Sequence, residues 1–362
     1  MNVVFFINTP AQVHLYKNII KIMINKGHQI KIMARDYGET LIILREYGLK
    51  YFVYSKPTSN NVFNILMIPL EILRAFTYLK KFSPNIIIGG GISDIYTAFL
   101  LHIPCIGFSD GEPSTSIYYA IQLKASLPLI DVIITPQCYL GDLGKKQLRI
   151  NSYKELAYLH PKYFQPDKSI FKYLGITEQE KYIILRFSAF NSLNDSVSTG
   201  FSNEDKINLV KYLEQYATVF ISAEGVIPSS ITKNSMKIPK SQIHHALFFA
   251  DLVVTDTGTI TTESACLGIP TVVMLPNIRR YGNFVELEDK YNLIFCCTNS
   301  LSVFNKISPL VNTNSKNLWR KKRDILLNDK INITTYLVWF IENYPNSYNA
   351  VKENSDIQYN FN

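Results

Sequence analysis

Three groups of residues have the types and spacing to do chemistry. In residues 249–270, FADLVVTDTGTITTESACLGIP, an apolar run leads into Asp256-Thr257-Gly258-Thr259 and then into a segment carrying Thr262 and Glu263. A glycine at such a junction lets a ligand approach the backbone closely. The threonines add hydroxyl donors, and the start of a helix favours an anion. The pattern suits a phosphate or diphosphate, with Glu263 placed to accept hydrogen bonds from ribose hydroxyls. It equally describes a threonine-capped helix whose acid offsets the dipole. The second group is LRFSAFN, residues 185–191, where an apolar run ends in a small polar loop and Ser188 can meet phosphate.

The third group holds candidate proton-transfer residues, each just after an apolar run: His14, Asp94 in GGGISD, and Asp110 and Glu112 in FSDGEPSTS. A carboxylate or imidazole at such a position can act as a general base. Exposed loop acids and helix-surface histidines are also common there. Gly89-Gly90-Gly91 lacks both the GxGxxG order and the Walker lysine, so it suits a tight turn under a sugar or phosphate, or simply a turn. His244 and His245 are adjacent and would point apart, which argues against a metal pair. Cys105, Cys138, Cys266, Cys296 and Cys297 show no CxxC spacing, so no zinc site, metal or cofactor is expected and the setting is reducing and cytoplasmic.

To present these residues, the chain must alternate strands and helices. Residues 3–7 form a continuous apolar run, as a parallel strand buried on both faces requires. Residues 12–25 have helical periodicity ending at Lys26-Gly27, then 29–33 reads as a strand and 39–47 as a helix. Further strands are expected at 85–88, 104–108 and 132–134. Between about 141 and 177 the texture turns polar and aromatic, and the strand–helix pattern restarts at 182–185. It continues through a helix at 203–216, strands at 219–221 and 252–255, a helix from about 259, and a strand at 271–275. Repeated strand, helix, strand requires right-handed crossovers and parallel sheets. The expected fold is α/β: two Rossmann-like domains, 1–165 and 166–330, facing each other across a cleft. Helices are expected at 318–327 and 333–343. Residues 331–346 would pack back on the first domain, and the polar tail 347–362 would fray.

The chain has 362 residues, 47% hydrophobic and 18% charged, which excludes general disorder. Its net charge of +8 is lopsided. Residues 1–165 carry 17 basic and 10 acidic side chains, and 166–362 carry 20 and 19. A basic first half suits an anionic partner, but the basic residues are spread and no nucleic-acid-reading motif occurs, so nucleic acid is not expected. The first residues, MNVVFFINTP, have no basic segment or cleavage site and read as a strand. Residues 62–82 are the most apolar later stretch, interrupted by Asn64, Pro69, Glu71 and Arg74, which suits an amphipathic helix on a sheet or at a membrane surface better than a span.

The 249–270 block resembles the nucleotide-sugar signature of GT-B glycosyltransferases, such as the peptidoglycan N-acetylglucosaminyltransferase, and of UDP-N-acetylglucosamine 2-epimerases. Over nearly its whole length the chain looks like the GT-B-like family catalogued as domain of unknown function 354. The matching runs are NTPAQVHLYKNIIKIMINKGHQIKIMARDYGET, YKELAYLHPKYFQPD, LRFSAFNSLND, ISAEG, the 249–270 block, NFVELEDKYNLIF and KINITTYLVWFIENYP. This resemblance implies a nucleotide-sugar site using Ser188 and Asn191 in the diphosphate loop, Glu224 in ISAEG, and Ile238 and His244 in the base-holding segment. It adds Thr257, Gly258, Thr259, Thr262 and Glu263 in the glycine turn and helix, with Arg279 and Arg280 as charge partners. His14, Asp94, Asp110 and Glu112 fall where catalytic groups of such enzymes sit. The epimerase runs resembling GTRPE and HRRE are absent, replaced by Asn8-Thr9-Pro10-Ala11-Gln12 and Arg186-Phe187-Ser188-Ala189-Phe190. The family's histidine before Asp195 is Asn194 here. The expected function is a glycosyltransferase that passes a UDP-linked sugar to a glycan or lipid-linked acceptor in cell-surface polysaccharide synthesis. A nucleotide-sugar epimerase or hydrolase on the same fold, and a non-catalytic nucleotide-sugar-binding protein, are the alternatives.

Overall fold

A computed structural model describes residues 1–188, 200–313 and 315–361. The chain divides into two compact units, 1–158 joined by 330–362, and 159–329. The division falls earlier than the expected boundary at 165.

The first unit is built on a seven-stranded, wholly parallel sheet in the order β3-β2-β1-β4-β5-β6-β7. Its strands are β1 (Asn2–Ile7), β2 (Gln29–Arg35), β3 (Phe52–Ser55), β4 (Ile86–Ile88), β5 (Cys105–Phe108), β6 (Val132–Pro136) and β7 (Gln147–Ile150). β1 lies centrally and every residue from Val3 to Ile7 is fully buried, which is why its run is apolar without alternation. The second unit has a five-stranded parallel sheet, β12-β11-β10-β8-β9, from β8 (Tyr182–Phe187), β9 (Thr218–Ala223), β10 (Leu252–Thr255), β11 (Thr271–Met274) and β12 (Ile294–Cys297).

β3, β7 and β12 lie outside the sequence expectations. All three are four-residue strands at sheet edges. An edge strand pairs on one side only and needs no long apolar run, so QLRI carries little strand signal, and FVYS, though rich in strand-favouring residues, is too short to stand out.

The tail at 347–362 does not fray as its polarity suggested. It forms the helix Asn346–Glu353 and a 3-10 turn, Ser355–Asn360, anchored by the buried Ser347, Val351 and Gln358. Gln358 Oε1 accepts from Asn151 N at 2.7 Å, Ser347 Oγ donates to Phe340 O at 2.7 Å, and Phe361 packs against Trp339. A few buried anchors hold a segment whose remaining polar side chains face outward, and those few carry little weight in its composition.

The helix Asn61–Lys80 is capped by Asn60, whose side chain accepts from Val62 N and Phe63 N. It buries Ala75 and Leu79 and packs beside the helix Ile92–Leu101. By length and composition Val62–Lys80 qualifies as a membrane span, despite the interruptions noted in its sequence.

Candidate functional site

In the second unit the carboxyl ends of β8, β9 and β10 lie side by side, with Thr255 in register with Arg186 and Arg186 with Ser222. β10 leads through Asp256 and Thr257 into the helix Gly258–Leu267. Thr257 occupies the N-cap but makes no side-chain cap bond, and the first turn contains no acid. Its hydroxyl instead meets Thr255 Oγ1 at 2.9 Å. The leading amides and the positive end of the dipole therefore lack their usual side-chain compensation, the condition for holding an anion. Gly258 also permits close packing: a Cβ there would sit 3.1 Å from Phe284 Cζ. Thr257, Gly258 and Thr259 thus form the turn into this helix.

Two further residues at this edge were not expected as site residues. Asp256 is 1% exposed, and its carboxylate accepts from Ser188 N at 2.7 Å and from Phe201 N at 3.2 Å. Burial pushes its carboxyl up to about 6, against the opposing pull of those two amides. It ties together the chain on either side of residues 189–199, and Asn191 lies outside the described residues. Arg186 donates from Nη1 to Ser222 Oγ at 2.7 Å and from Nη2 to Glu224 Oε1 at 2.6 Å, while its buried Nε has no hydrogen-bond partner among the described residues. A charged residue inside the apolar strand YIILRF was the available signal for it.

Several implied binding residues have other occupations. Glu224 is taken by Arg186. Glu263 is buried, with Oε1 2.9 Å from the Nε2 of buried His244, so the carboxylate implied for ribose meets a side chain of the segment whose backbone is implied to hold the base. Thr262 is buried and accepts from Asn283 Nδ2 at 3.4 Å. Ile238 is half-buried beside the 3-10 turn Lys240–Gln242. Arg279 is exposed and grips Asp289 with both terminal nitrogens, at 2.9 and 2.8 Å, and Glu288 at 3.0 Å, so its charge is already matched; Arg280 is exposed.

In the first unit the four candidate catalytic residues do not form one cluster of exposed bases. Asp94 is fully buried: its Oδ2 accepts from Gly91 N at 2.8 Å and Asn8 Nδ2 at 2.9 Å, and the Tyr54 hydroxyl donates to Asn8 Oδ1 at 2.6 Å. Burial pushes its carboxyl up to about 6, with the bonds from Gly91, Asn8 and Tyr54 opposing. This network also explains the glycine run, since a Cβ at Gly89 would lie 2.6 Å from Asp94 Oδ2 and 2.9 Å from Phe6 Cβ. Glu112 is 1% exposed and accepts from Leu140 N at 2.7 Å and Gly141 N at 3.0 Å. His14 is buried between the rings of Tyr47 and Tyr158. Asp110 alone keeps partial exposure, 25%, and is ion-paired with Lys154 Nζ at 2.5 Å. Asp94, Glu112 and His14, the candidate general bases apart from Asp110, are thus each buried, with burial rather than solvent supplying their surroundings. Among the described residues, no group of three or more His, Cys, Asp or Glu side chains is placed to hold a metal ion.

A family model described as a protein of unknown function, DUF354, matches residues 2–338. The chain belongs to the DUF354 family. An uncharacterized protein of Methanocaldococcus jannaschii is 24% identical to this DUF354 protein over 286 residues, covering 74% of this chain and 80% of its own. The fold is GT-B-like. It is similar to an S. aureus MnaA–UDP co-structure, with a TM-score of 0.69 at 12% identity, covering 96% of this chain and 97% of that one. A Streptomyces glycosyltransferase, SsfS6, complexed with thymidine diphosphate gives 0.56 at 14% identity, covering 94% and 99%. UDP-N-acetylglucosamine 2-epimerases share the fold too, at TM-scores of 0.58 to 0.66.

The placement of Glu112 makes a prediction in the DUF354 protein. Glu112→Gln keeps one acceptor oxygen but turns an amide NH2 toward the second backbone N–H. It is expected to lower stability by about 1–3 kcal/mol, seen as a thermal midpoint several degrees lower. An unchanged midpoint with abolished turnover would instead identify Glu112 as a base.

Proposed function

We propose that this DUF354 protein is a glycosyltransferase that takes a nucleotide diphosphate sugar, UDP-linked, and passes the sugar to a glycan or lipid-linked acceptor. The observation that carries the reading is the uncapped helix start at Gly258, placed at the carboxyl edge of a parallel sheet, where such folds collect anionic ligands. The donor diphosphate lies against the amides after Thr257, with the hydroxyl of Thr259 beside it. Those fixed donors stabilise the charge that develops as the sugar leaves, without a reorganisation cost at that moment. Asp110, the least buried of the candidate bases, removes the acceptor proton once Lys154 releases it.

An epimerase or hydrolase is the second reading, favoured by the higher TM-scores of several 2-epimerase structures over the glycosyltransferase structure. The absence of GTRPE-like and HRRE-like runs weighs against it. Calorimetry with UDP tests the donor site, and incubation with a UDP-sugar panel separates the reactions. Transfer that depends on an added acceptor is expected. Release of an epimer or free sugar at enzymatic rates without acceptor would support the second reading, and the absence of UDP binding would remove both.

A further inference from the structure

Along Val62–Lys80 only Ala75 and Leu79 are buried, and one whole side of the helix stands exposed. Val62, Phe63, Ile65, Leu66, Leu70 and Leu73 all stand exposed, Leu66 by 70% and Val62 by 68%. A core helix would hide these positions. From Val62 to Leu73 these positions follow one side of the helix for about 16 Å, roughly three turns.

The charges of the same region divide by direction. Residues 47–93 contain one acid, Glu71, against the basic residues Lys50, Lys56, Arg74, Lys80 and Lys81. Glu71 is turned inward, accepting from Ser55 Oγ and, at 3.0 Å, from Ser93 Oγ. Arg74, Lys80 and Lys81 are exposed at the end of the strip. Beside the helix a groove of about 840 Å³ is floored by Phe52, Tyr78 and Phe82, with Lys31, Arg74 and Lys81 also lining it. The outward face thus combines apolar side chains with positive charge and carries no acid of its own. A helix crossing the bilayer would have to draw Glu71 away from Ser55 and Ser93, whereas one lying in the interface keeps those bonds.

We infer that this face docks on an anionic phospholipid leaflet, with the strip from Val62 to Leu73 entering the headgroup boundary and Arg74, Lys80, Lys81 and Lys31 meeting lipid phosphates. Apolar burial and charge attraction act together in such docking, and the charge component weakens with salt.

Sedimentation of the full chain with vesicles tests this without any nucleotide, so its result is separate from the donor-site reading. Binding is expected to be at least about tenfold stronger to vesicles of phosphatidylcholine mixed with phosphatidylglycerol than to phosphatidylcholine alone, and to fall at high salt. Lys80→Glu with Lys81→Glu should lower it about tenfold, as should Leu66→Ser with Val62→Ser, with thermal midpoints unchanged because all four positions are on the surface. The charge-matched pair Lys172→Glu and Lys211→Glu in the second unit should have little effect. Absence of vesicle binding, equal binding to both vesicle types, or equal losses in the Lys80/Lys81 and Lys172/Lys211 variants would overturn the inference. So would light scattering that reveals a dimer dispersed by Leu66→Ser, since a second copy would then cover the face.

Discussion

Asp94→Ala is expected to lower the stability of the chain by about 3 kcal/mol at pH 5, measured by urea denaturation, making it one of the most damaging single changes outside the apolar core. The substitution removes the acceptor for Gly91 N and Asn8 Nδ2 in a fully buried place, where no solvent replaces it. The Tyr54 hydroxyl retains Asn8 Oδ1, so the network loses its centre and keeps one arm. The loss should also depend on pH. The folded carboxyl sits at about 6 against an ordinary 3.8, chiefly through burial, so the folded state holds its proton more tightly than the unfolded one. The resulting stabilisation is fully present below pH of about 4 and is lost as pH rises through 6. The damage from Asp94→Ala should therefore be about 1 kcal/mol smaller at pH 8 than at pH 5. A loss that is equal at both pH values would mean that the buried carboxyl does not titrate in this window.

The network also shows what was legible beforehand. The glycines at 89–91 and the acid at 94 were visible in the sequence as a turn and a candidate base. The reason for the glycines was not, because it lies in the space around Asp94 Oδ2, which is set by Phe6 and Asn8 from β1 and the turn after it. The same holds for Glu112, whose partners at Leu140 and Gly141 come from a distant loop. Central, buried parallel strands announced themselves through continuous apolar runs, as at Val3 to Ile7 and Leu252 to Val254. Short edge strands did not, because pairing on one side asks little of their composition. The glycine turn at Gly258 was readable because a strand-to-helix turn depends on local order. Arg186 and Asp256 were harder to recognise, since their significance comes from strand register and from amides tens of residues away.

Thr259→Glu should separate ligand binding from folding at that turn, because the two respond with opposite signs. The helix Gly258–Leu267 begins without an acid and without a side-chain cap bond. A carboxylate in its first turn interacts favourably with the dipole and is expected to add about 0.3–1 kcal/mol of stability. The same carboxylate would stand within about 5 Å of a diphosphate held on the leading amides. At an effective dielectric constant of about 20, like charges at that distance repel by about 3 kcal/mol, roughly a hundredfold in affinity. Calorimetry should accordingly show UDP binding weakened at least about tenfold, while the thermal midpoint holds or rises. Thr259→Ser, which keeps a hydroxyl and adds no charge, should bind nearly as the natural protein does. A general folding defect cannot produce this pattern, since it would lower the midpoint and the affinity together. If UDP binds the Thr259→Glu protein undiminished, the diphosphate is held elsewhere, and the glycine turn is a plain helix start.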